Sequence, residues 1–167
     1  SSIEEQIIKS SKQICSIFNK KFSEFSESEI KVWITDNRSD SIPDRLALFN
    51  RVFKLVTTFD LRFTQLVSIL TLYNNKKGAL IQVSTGEGKT FIGIGFAVLK
   101  FLNKEKVHIV TSSSVLAERD ALDKTNNEIF NIFGIKSGHN GHSESDKRRR
   151  VYNECDVVYG SLNSFQR

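Results

Sequence analysis

The sequence has 167 residues, of which 39% are hydrophobic and 26% charged, a composition that excludes a largely disordered chain and allows one well-buried core. The formal net charge of +5 permits nucleic acid or anionic lipid as a partner but requires neither. Because no apolar run approaches the ~20 residues of a membrane-spanning helix, we expect a cytoplasmic protein, free or peripheral to a membrane.

Residues 1–60 are predicted to form an N-terminal helical subdomain. Apolar side chains recur there at near-helical spacing, which indicates an amphipathic first helix, at Ile3, Ile7, Ile14, Phe18 and Phe22. Ser26 and Glu29 have the spacing of a capping box before a second helix. Pro43 suits the first turn of a third helix.

Residues 61–167 are predicted to form a P-loop α/β domain, a parallel sheet flanked by helices. In chain order we expect a helix at 64–73, a strand at 79–83, a helix at 88–102, a strand at 107–111, a long helix at 113–133 closed by Gly134, a short strand at 135–137, a basic helix containing 147–150 and a strand at 157–159 ending at Gly160. A nucleotide is then expected at the carboxyl ends of the strands.

The run between the first strand and the following helix has the composition of a phosphate loop: Thr85, Gly86, Glu87, Gly88, Lys89 and Thr90. Glycines at 86 and 88 allow the backbone N–H groups to face a polyphosphate. Lys89 is expected to reach the β- and γ-phosphates, and the Thr90 hydroxyl to ligate Mg²⁺. Val83 replaces the first glycine of the usual pattern. The run predicts a nucleotide and Mg²⁺ as ligands.

Two further clusters carry less specific signals. His139 and His142 are spaced to catch a metal ion, but no cysteine or carboxylate completes a tetrahedral set, so a glycine-rich surface loop is the preferred interpretation. The basic run 147–150 is interpreted as a solvated helix face, with a functional basic patch as the alternative.

The strands after the phosphate loop lack a closing carboxylate. P-loop hydrolases use one to hold Mg²⁺, whereas here the strands are predicted to end at Thr111 and Gly160. Glu87 is a poor substitute because it would be repelled by the γ-phosphate. We therefore expect that the sequence stops before its catalytic carboxylates and binds nucleotide without turning it over.

Three blocks, at residues 85–90, 107–120 and 156–163, together resemble one family. Thr-Gly-Glu-Gly-Lys-Thr, Val-His-Ile-Val-Thr followed by Leu-Ala-Glu-Arg-Asp, and Asp-Val-Val-Tyr-Gly-Ser-Leu-Asn are similar to motifs of the SecA family, the motor ATPase of protein translocation, in its DEAD-like first nucleotide-binding domain. The resemblance covers roughly residues 44–167. It implies a RecA-like fold, ATP with Mg²⁺, a second motor lobe and a polypeptide substrate or translocation channel.

The resemblance also implies roles for two residues before the phosphate loop. Gln65 corresponds to the family's adenine-reading glutamine and Arg62 to the arginine before it, although the interval between them is shorter here. A glutamine on a helix surface remains the alternative for Gln65. Glu118 stands where the family has an arginine, so the contacts that the arginine makes in the family are not expected for Glu118.

Two other functions remain open at this stage. A helicase lobe of the same superfamily would fit the net positive charge, but residues 111–115 lack the Pro-Thr-Arg-Glu-Leu-like block of DEAD-box proteins, so nucleic acid is the less favoured partner. A non-enzymatic adaptor would keep the P-loop fold as a scaffold and use the N-terminal helices as a partner surface.

Overall fold

The computed structural model describes residues 2–36, 41–75, 80–82 and 87–165, without the side chains of residues 80–82 and 87. The chain packs as two units, Ser1–Lys76 and Lys77–Arg167. The first is helical and the second contains a parallel sheet with helices, so the predicted α/β class with a helical N-terminal segment is confirmed. The helix at 63–74 packs within the first unit. The predicted division into domains at residue 60 stays a prediction.

The described part of the first unit has four α-helices: α1 (Ile3–Ile17), followed by a π-helical turn (Phe18–Phe22), then α2 (Glu27–Asp36), α3 (Ile42–Thr57) and α4 (Phe63–Asn74). Four members of the predicted apolar stripe are buried, Ile7, Ile14, Phe18 and Phe22, whereas Ile3 is 69% exposed, so the stripe faces the core from Ile7 onward. The capping box is confirmed: Ser26 N–H donates to Glu29 Oε1 at 3.0 Å, and Glu29 N–H donates to Ser26 Oγ at 3.2 Å. Hydrogen bonds to Ser26 hold the pKa of Glu29 below its ordinary value.

Helix α3 forms the centre of the first unit. Pro43 lies in its first turn, as predicted. Four successive residues have no exposed surface, at positions 46–49, so α3 is covered on every side rather than along one stripe. It contacts α1 and α2, and the Asn50 side-chain oxygen accepts a hydrogen bond from Leu61 N–H at 2.8 Å. Residues 37–40, between α2 and α3, lie outside the described residues.

The described part of the second unit contains, in chain order, β1 (Leu80–Gln82), α5 (Glu87–Leu102), β2 (Val107–Thr111), α6 (Ser114–Leu122), α7 (Lys124–Phe133), β3 (Ser137–His139), α8 (Ser145–Glu154), β4 (Val157–Ser161) and α9 (Leu162–Phe165). All strand pairs are parallel, in the order β1-β2-β4-β3. Along the chain, the strands proceed across the sheet from β1 to β2 and on to β3 at the edge, and β4 then fits between β2 and β3. Right-handed crossovers therefore place α5, α6 and α7 on one face of the sheet and α8 on the other. The carboxyl ends of the strands share one edge.

The contacts of the sheet agree with this arrangement of helices. His108 and Val158 are register partners and therefore share a face. The ring of Tyr152, in α8, meets the His108 ring edge-on at a centroid distance of 5.7 Å. Helix α6 contacts β2, β3 and β4. The sheet is thus covered on both faces, as in doubly wound folds.

The single long helix predicted at 113–133 is wrong, because α6 and α7 are separate helices. Asp123 between them has extended backbone angles (φ −62°, ψ 128°), and its carboxylate accepts a hydrogen bond from Asn126 N–H at 2.9 Å. A cap of this kind starts a new helix without a proline or glycine to mark the break. Gly134 closes α7 with φ 77°, as predicted.

Two strand boundaries also differ from the prediction. The third strand occupies 137–139 instead of 135–137, because Ile135 N–H donates to Phe130 O in the turn that ends α7. The Asp156 carboxylate then accepts from Lys136 N–H at 2.9 Å and brings the chain to β4. The fourth strand runs past Gly160 to Ser161, because Thr111 of β2 continues the pairing there.

Candidate phosphate-binding site

The predicted phosphate loop lies between β1 and α5. The connecting residues 83–86, which include the predicted site residues Thr85 and Gly86, are outside the described residues. The other predicted residues form the first turn of α5: Glu87, Gly88, Lys89 and Thr90. The strand expected before the loop and the helix expected after it are therefore present.

The start of α5 has the features of an anion site. It follows the carboxyl end of a parallel strand, where the positive end of the helix dipole favours negative charge. The Lys89 side chain is exposed, and Gly88 and Thr90 are half-buried. An exposed ammonium group beside a helix N-terminus can reach a phosphate without first breaking a buried contact.

Arg62 and Gln65 are joined at the start of α4. Gln65 Oε1 accepts a hydrogen bond from Arg62 N–H at 2.8 Å, and Gln65 N–H donates to Arg62 O at 2.9 Å. Gln65 is only 5% exposed, so it is not the helix-surface glutamine that the sequence left open. Both residues belong to the first unit, whereas the phosphate loop belongs to the second. Their grouping into one site stays a prediction.

Hydroxyl groups, not carboxylates, end the two central strands of the sheet. Thr111 at the end of β2 donates through Oγ1 to Ser113 O at 2.7 Å. Ser161 at the end of β4 has its Oγ 2.8 Å from Ser164 Oγ and accepts from Ser164 N–H at 3.2 Å. Thr111 and Ser161 are buried. Thr111 is engaged with backbone carbonyl groups and Ser161 with Ser164, and neither side chain offers a charge to a metal ion.

Asn140 is a buried polar residue that sequence reasoning missed. It has no exposed surface, and its Nδ2 donates to Tyr152 Oη at 2.7 Å. A Cβ placed on Gly160 would lie 2.6 Å from that same nitrogen, so the absence of a side chain at 160 makes room for the carboxamide. The signal available in the sequence was Gly160 after the apolar run 157–159, which indicates a close approach to the strand but does not identify the residue that makes it.

Two buried oxygens have no hydrogen-bond partner among the described residues: Asn140 Oδ1 and the Tyr159 hydroxyl. They belong to opposite faces of the sheet, because Tyr159 and Gly160 are successive residues of β4. Burial, followed by the charges of Asp120 and Asp123, raises the pKa of Tyr159 far above its ordinary value. This hydroxyl therefore stays protonated at physiological pH.

The two histidines after β3 stack on each other instead of opening toward a shared ligand. The ring centroids of His139 and His142 are 4.3 Å apart with an interplanar angle of 29°. Among the described residues, no group of three or more histidine, cysteine or acidic side chains is placed to hold a metal ion. The glycine of this loop supplies a hydrogen bond to a ring nitrogen, from Gly141 N–H to His139 Nδ1 at 3.2 Å.

The basic run lies on α8, where no residue is buried. Lys147 and Arg149 pair with Glu144 and Asp146 at 3.7 and 3.9 Å, and these side chains are 51–82% exposed. Exposed pairs of this type add little stability. The guanidinium of Arg148 instead donates to the carbonyl groups of residues 142 and 143, each at 2.9 Å. The solvated helix face predicted here therefore carries acidic partners along with the basic residues.

Comparison with known proteins connects these features to one family. The SecA DEAD-like domain matches residues 1–166. The chain is 32% identical over 147 residues to the protein translocase subunit SecA of Campylobacter hominis, and 32% identical over 149 residues to that of Treponema denticola. A 102-residue part is 39% identical to the same subunit of Caldicellulosiruptor saccharolyticus. The match extends the resemblance, seen from about residue 44 in the sequence, to the N-terminus.

The chain covers only a small part of these relatives. The Campylobacter and Treponema comparisons include 87% and 89% of this chain but 16% and 15% of the relative, and the Caldicellulosiruptor comparison includes 60% of this chain and 11% of the relative. Across the ranges that the structure describes, no helix combines the length and apolar character needed to cross a bilayer.

Proposed function

The chain belongs to the SecA family, within its DEAD-like domain, and from that premise we propose that it binds ATP with Mg²⁺ at the start of α5. The observation that carries the proposal is the position of Lys89. This exposed side chain lies in the first turn of a helix that follows the carboxyl end of a parallel strand. P-loop phosphate sites combine a helix N-terminus with a lysine in this way.

Each residue of the loop has a defined task in this proposal. Lys89 pairs with the β- and γ-phosphates, and the Thr90 hydroxyl is a ligand for Mg²⁺. Gly86 and Gly88 leave the backbone open to the phosphates, while Thr85 and Glu87 complete the loop. When it is bound, Mg²⁺ neutralises part of the negative charge of the phosphates. Residues of the chain bind and orient the nucleotide.

Recognition of adenine is assigned to Gln65, with Arg62 beside it. The support is that the side chain of Gln65 is buried and that its Oε1 accepts the Arg62 N–H, which fixes the orientation of the carboxamide. A fixed carboxamide can discriminate bases because its donor and acceptor occupy defined positions.

We assign to the full-length protein the coupling of ATP hydrolysis to polypeptide translocation. The support is that the relatives are protein translocase subunits, named SecA. A second motor lobe, a polypeptide substrate or translocation channel, and a cytoplasmic location that includes the membrane surface follow from the same proposal. Hydrolysis would be phosphoryl transfer to water, which depends on positioning and charge stabilisation.

A titration of the 167-residue chain with Mg·ATP, followed by calorimetry, tests the proposal. We expect weak, saturable binding that requires Mg²⁺ and is competed by ADP. Absence of any heat from a folded sample would contradict it. A parallel titration with single-stranded RNA at two salt concentrations tests the helicase alternative, because phosphate contacts give a steep salt dependence. Intact nucleotide affinity without ATPase activity in the full-length protein would indicate the adaptor.

A further inference from the structure

The turn at residues 139–142, which joins β3 to the loop before α8, depends on one ring nitrogen. His139 is the last residue of β3, and its Nδ1 accepts a hydrogen bond from Gly141 N–H at 3.2 Å. The His142 ring stacks on it at 4.3 Å. The turn also touches α6, because a Cβ on Gly141 would lie 3.7 Å from the Cβ of Ser114.

We propose that this turn is a proton-sensitive latch, closed while Nδ1 of His139 is unprotonated and opened when that atom takes up a proton. An imidazole nitrogen accepts a hydrogen bond only when it carries no hydrogen, and the imidazolium ion has two donors and no acceptor. Protonation at Nδ1 therefore places two donors against each other at Gly141. The inference concerns the carboxyl edge of β3 and is independent of nucleotide binding.

The charges around His139 come from each element packed against β3. Helix α6 contributes Glu118, whose carboxylate favours the protonated ring. Helix α8 contributes Arg148, whose guanidinium holds the carbonyl of His142 at 2.9 Å. Strand β4 places Tyr159 opposite His139 in the register, and that hydroxyl is neutral. The turn itself contributes His142.

Burial, followed by the charge of His142, lowers the pKa of His139 below the ordinary value of 6.5, while Glu118 partly opposes this shift. The closed turn thus favours the neutral ring. Since the open turn binds a proton more readily, closure is favoured above pH 6.5 and is lost as the pH falls through the His139 pKa. The latch is closed at neutral pH and opens in mild acid.

The test is an NMR titration of the 167-residue chain, which has three histidines. We expect the amide proton of Gly141 to shift with the same midpoint as the His139 ring. Its exchange protection, corrected for the intrinsic pH dependence, should fall about fivefold on protonation of that ring. A Gly141 amide that is unaffected, or that follows only His142 or His108, would overturn the proposal.

Two variants should shift the titration midpoint of His139 in opposite directions. Glu118→Gln, at an exposed position, should lower the midpoints of the His139 ring and the Gly141 amide together. His142→Gln should raise both, because it removes a neighbouring positive charge. The midpoint of His108, which faces α8 and α9, should stay unchanged in each variant and serves as the internal control. Separation of the ring midpoint from the amide midpoint in either variant would refute the latch.

Discussion

The carboxamide of Asn140 occupies the space that a side chain on Gly160 would need. A Cβ at residue 160 would lie 2.6 Å from Asn140 Nδ2, and Asn140 has no exposed surface into which it could move. Gly160 lies in β4 and Asn140 directly follows β3, the neighbouring strand, so each residue restricts what the other can be.

Gly160→Ala should therefore destabilise the second unit by about 2 kcal/mol, as overpacked cores do. The new methyl group displaces Asn140 and breaks its 2.7 Å hydrogen bond to Tyr152. The measurement is amide exchange of β4 in the native state. In an Asn140→Ala background, where the space is vacant, the same substitution should cost much less. Equal costs in the two backgrounds would show that the residues are not coupled.

Lys89→Ala should reduce the affinity for Mg·ATP at least tenfold, because a charge-assisted contact to phosphate is lost. Calorimetry measures the effect. The matched control is Lys124→Ala, which removes a charge from a side chain that is 91% exposed and starts a different helix of the same unit. If both variants bind like the unaltered chain, or lose affinity equally, Lys89 is not a phosphate ligand.

The 167-residue chain should release no phosphate from ATP above the uncatalysed rate. Its two central strands end in the hydroxyl residues Thr111 and Ser161, which do not replace a metal-holding carboxylate. A phosphate-release assay at saturating Mg·ATP measures this, with Lys89→Ala as the blank for contaminating ATPases. Turnover that disappears in the Lys89 variant would mean that a carboxylate within this chain serves the reaction.

Asp123→Ala should destabilise the second unit by about 1 kcal/mol through loss of the cap on α7. Asp123→Asn keeps an oxygen that can accept the Asn126 N–H bond and should cost less. Urea unfolding followed by far-ultraviolet circular dichroism gives the comparison. The fluorescence of Trp33, the chain's single tryptophan, reports on the first unit. A stable alanine variant would indicate that tertiary packing alone separates α6 from α7.

The stability of the second unit should fall as the pH drops below 6.5. Burial, followed by the charge of Lys106, lowers the pKa of His108, so the unfolded chain takes up a proton that the native chain resists. The His108 ring stacks on Phe165 at a centroid distance of 4.8 Å. His108→Phe keeps an aromatic ring at this position but removes the group that takes up the proton. Unfolding free energies between about pH 7.5 and 5 should then change less steeply. A slope equal to that of the unaltered chain would contradict the assignment.

Periodic apolar residues and local caps made much of this fold predictable. Strand β2 and the capping box of α2 were predicted as they are found, because both depend on neighbours in the sequence. The break at Asp123 was not predicted, since an aspartate is also tolerated within a helix. The start of β3 was missed because the Ile135 N–H is used by the turn after α7.

The candidate site shows the same limit. The position of Lys89 at a helix start follows from the strand, glycines and helix that surround it in the sequence. The burial of Gln65 depends on helices that are distant along the chain, and the space filled by Asn140 depends on a strand 20 residues later. Contacts of this long range leave no local pattern to be recognised.

Helix α8 is attached to the sheet without burying a single residue. Hydrogen bonds to backbone carbonyl groups hold both ends of the helix. Arg148, near its start, donates to His142 O at 2.9 Å, and Lys106 Nζ donates to Tyr152 O, near its end, at 2.8 Å. Substitutions at its outward positions therefore cost little packing energy. Basic residues there can be exchanged for acidic ones one at a time, which would give the helix a new surface while the strands beneath it stay the same.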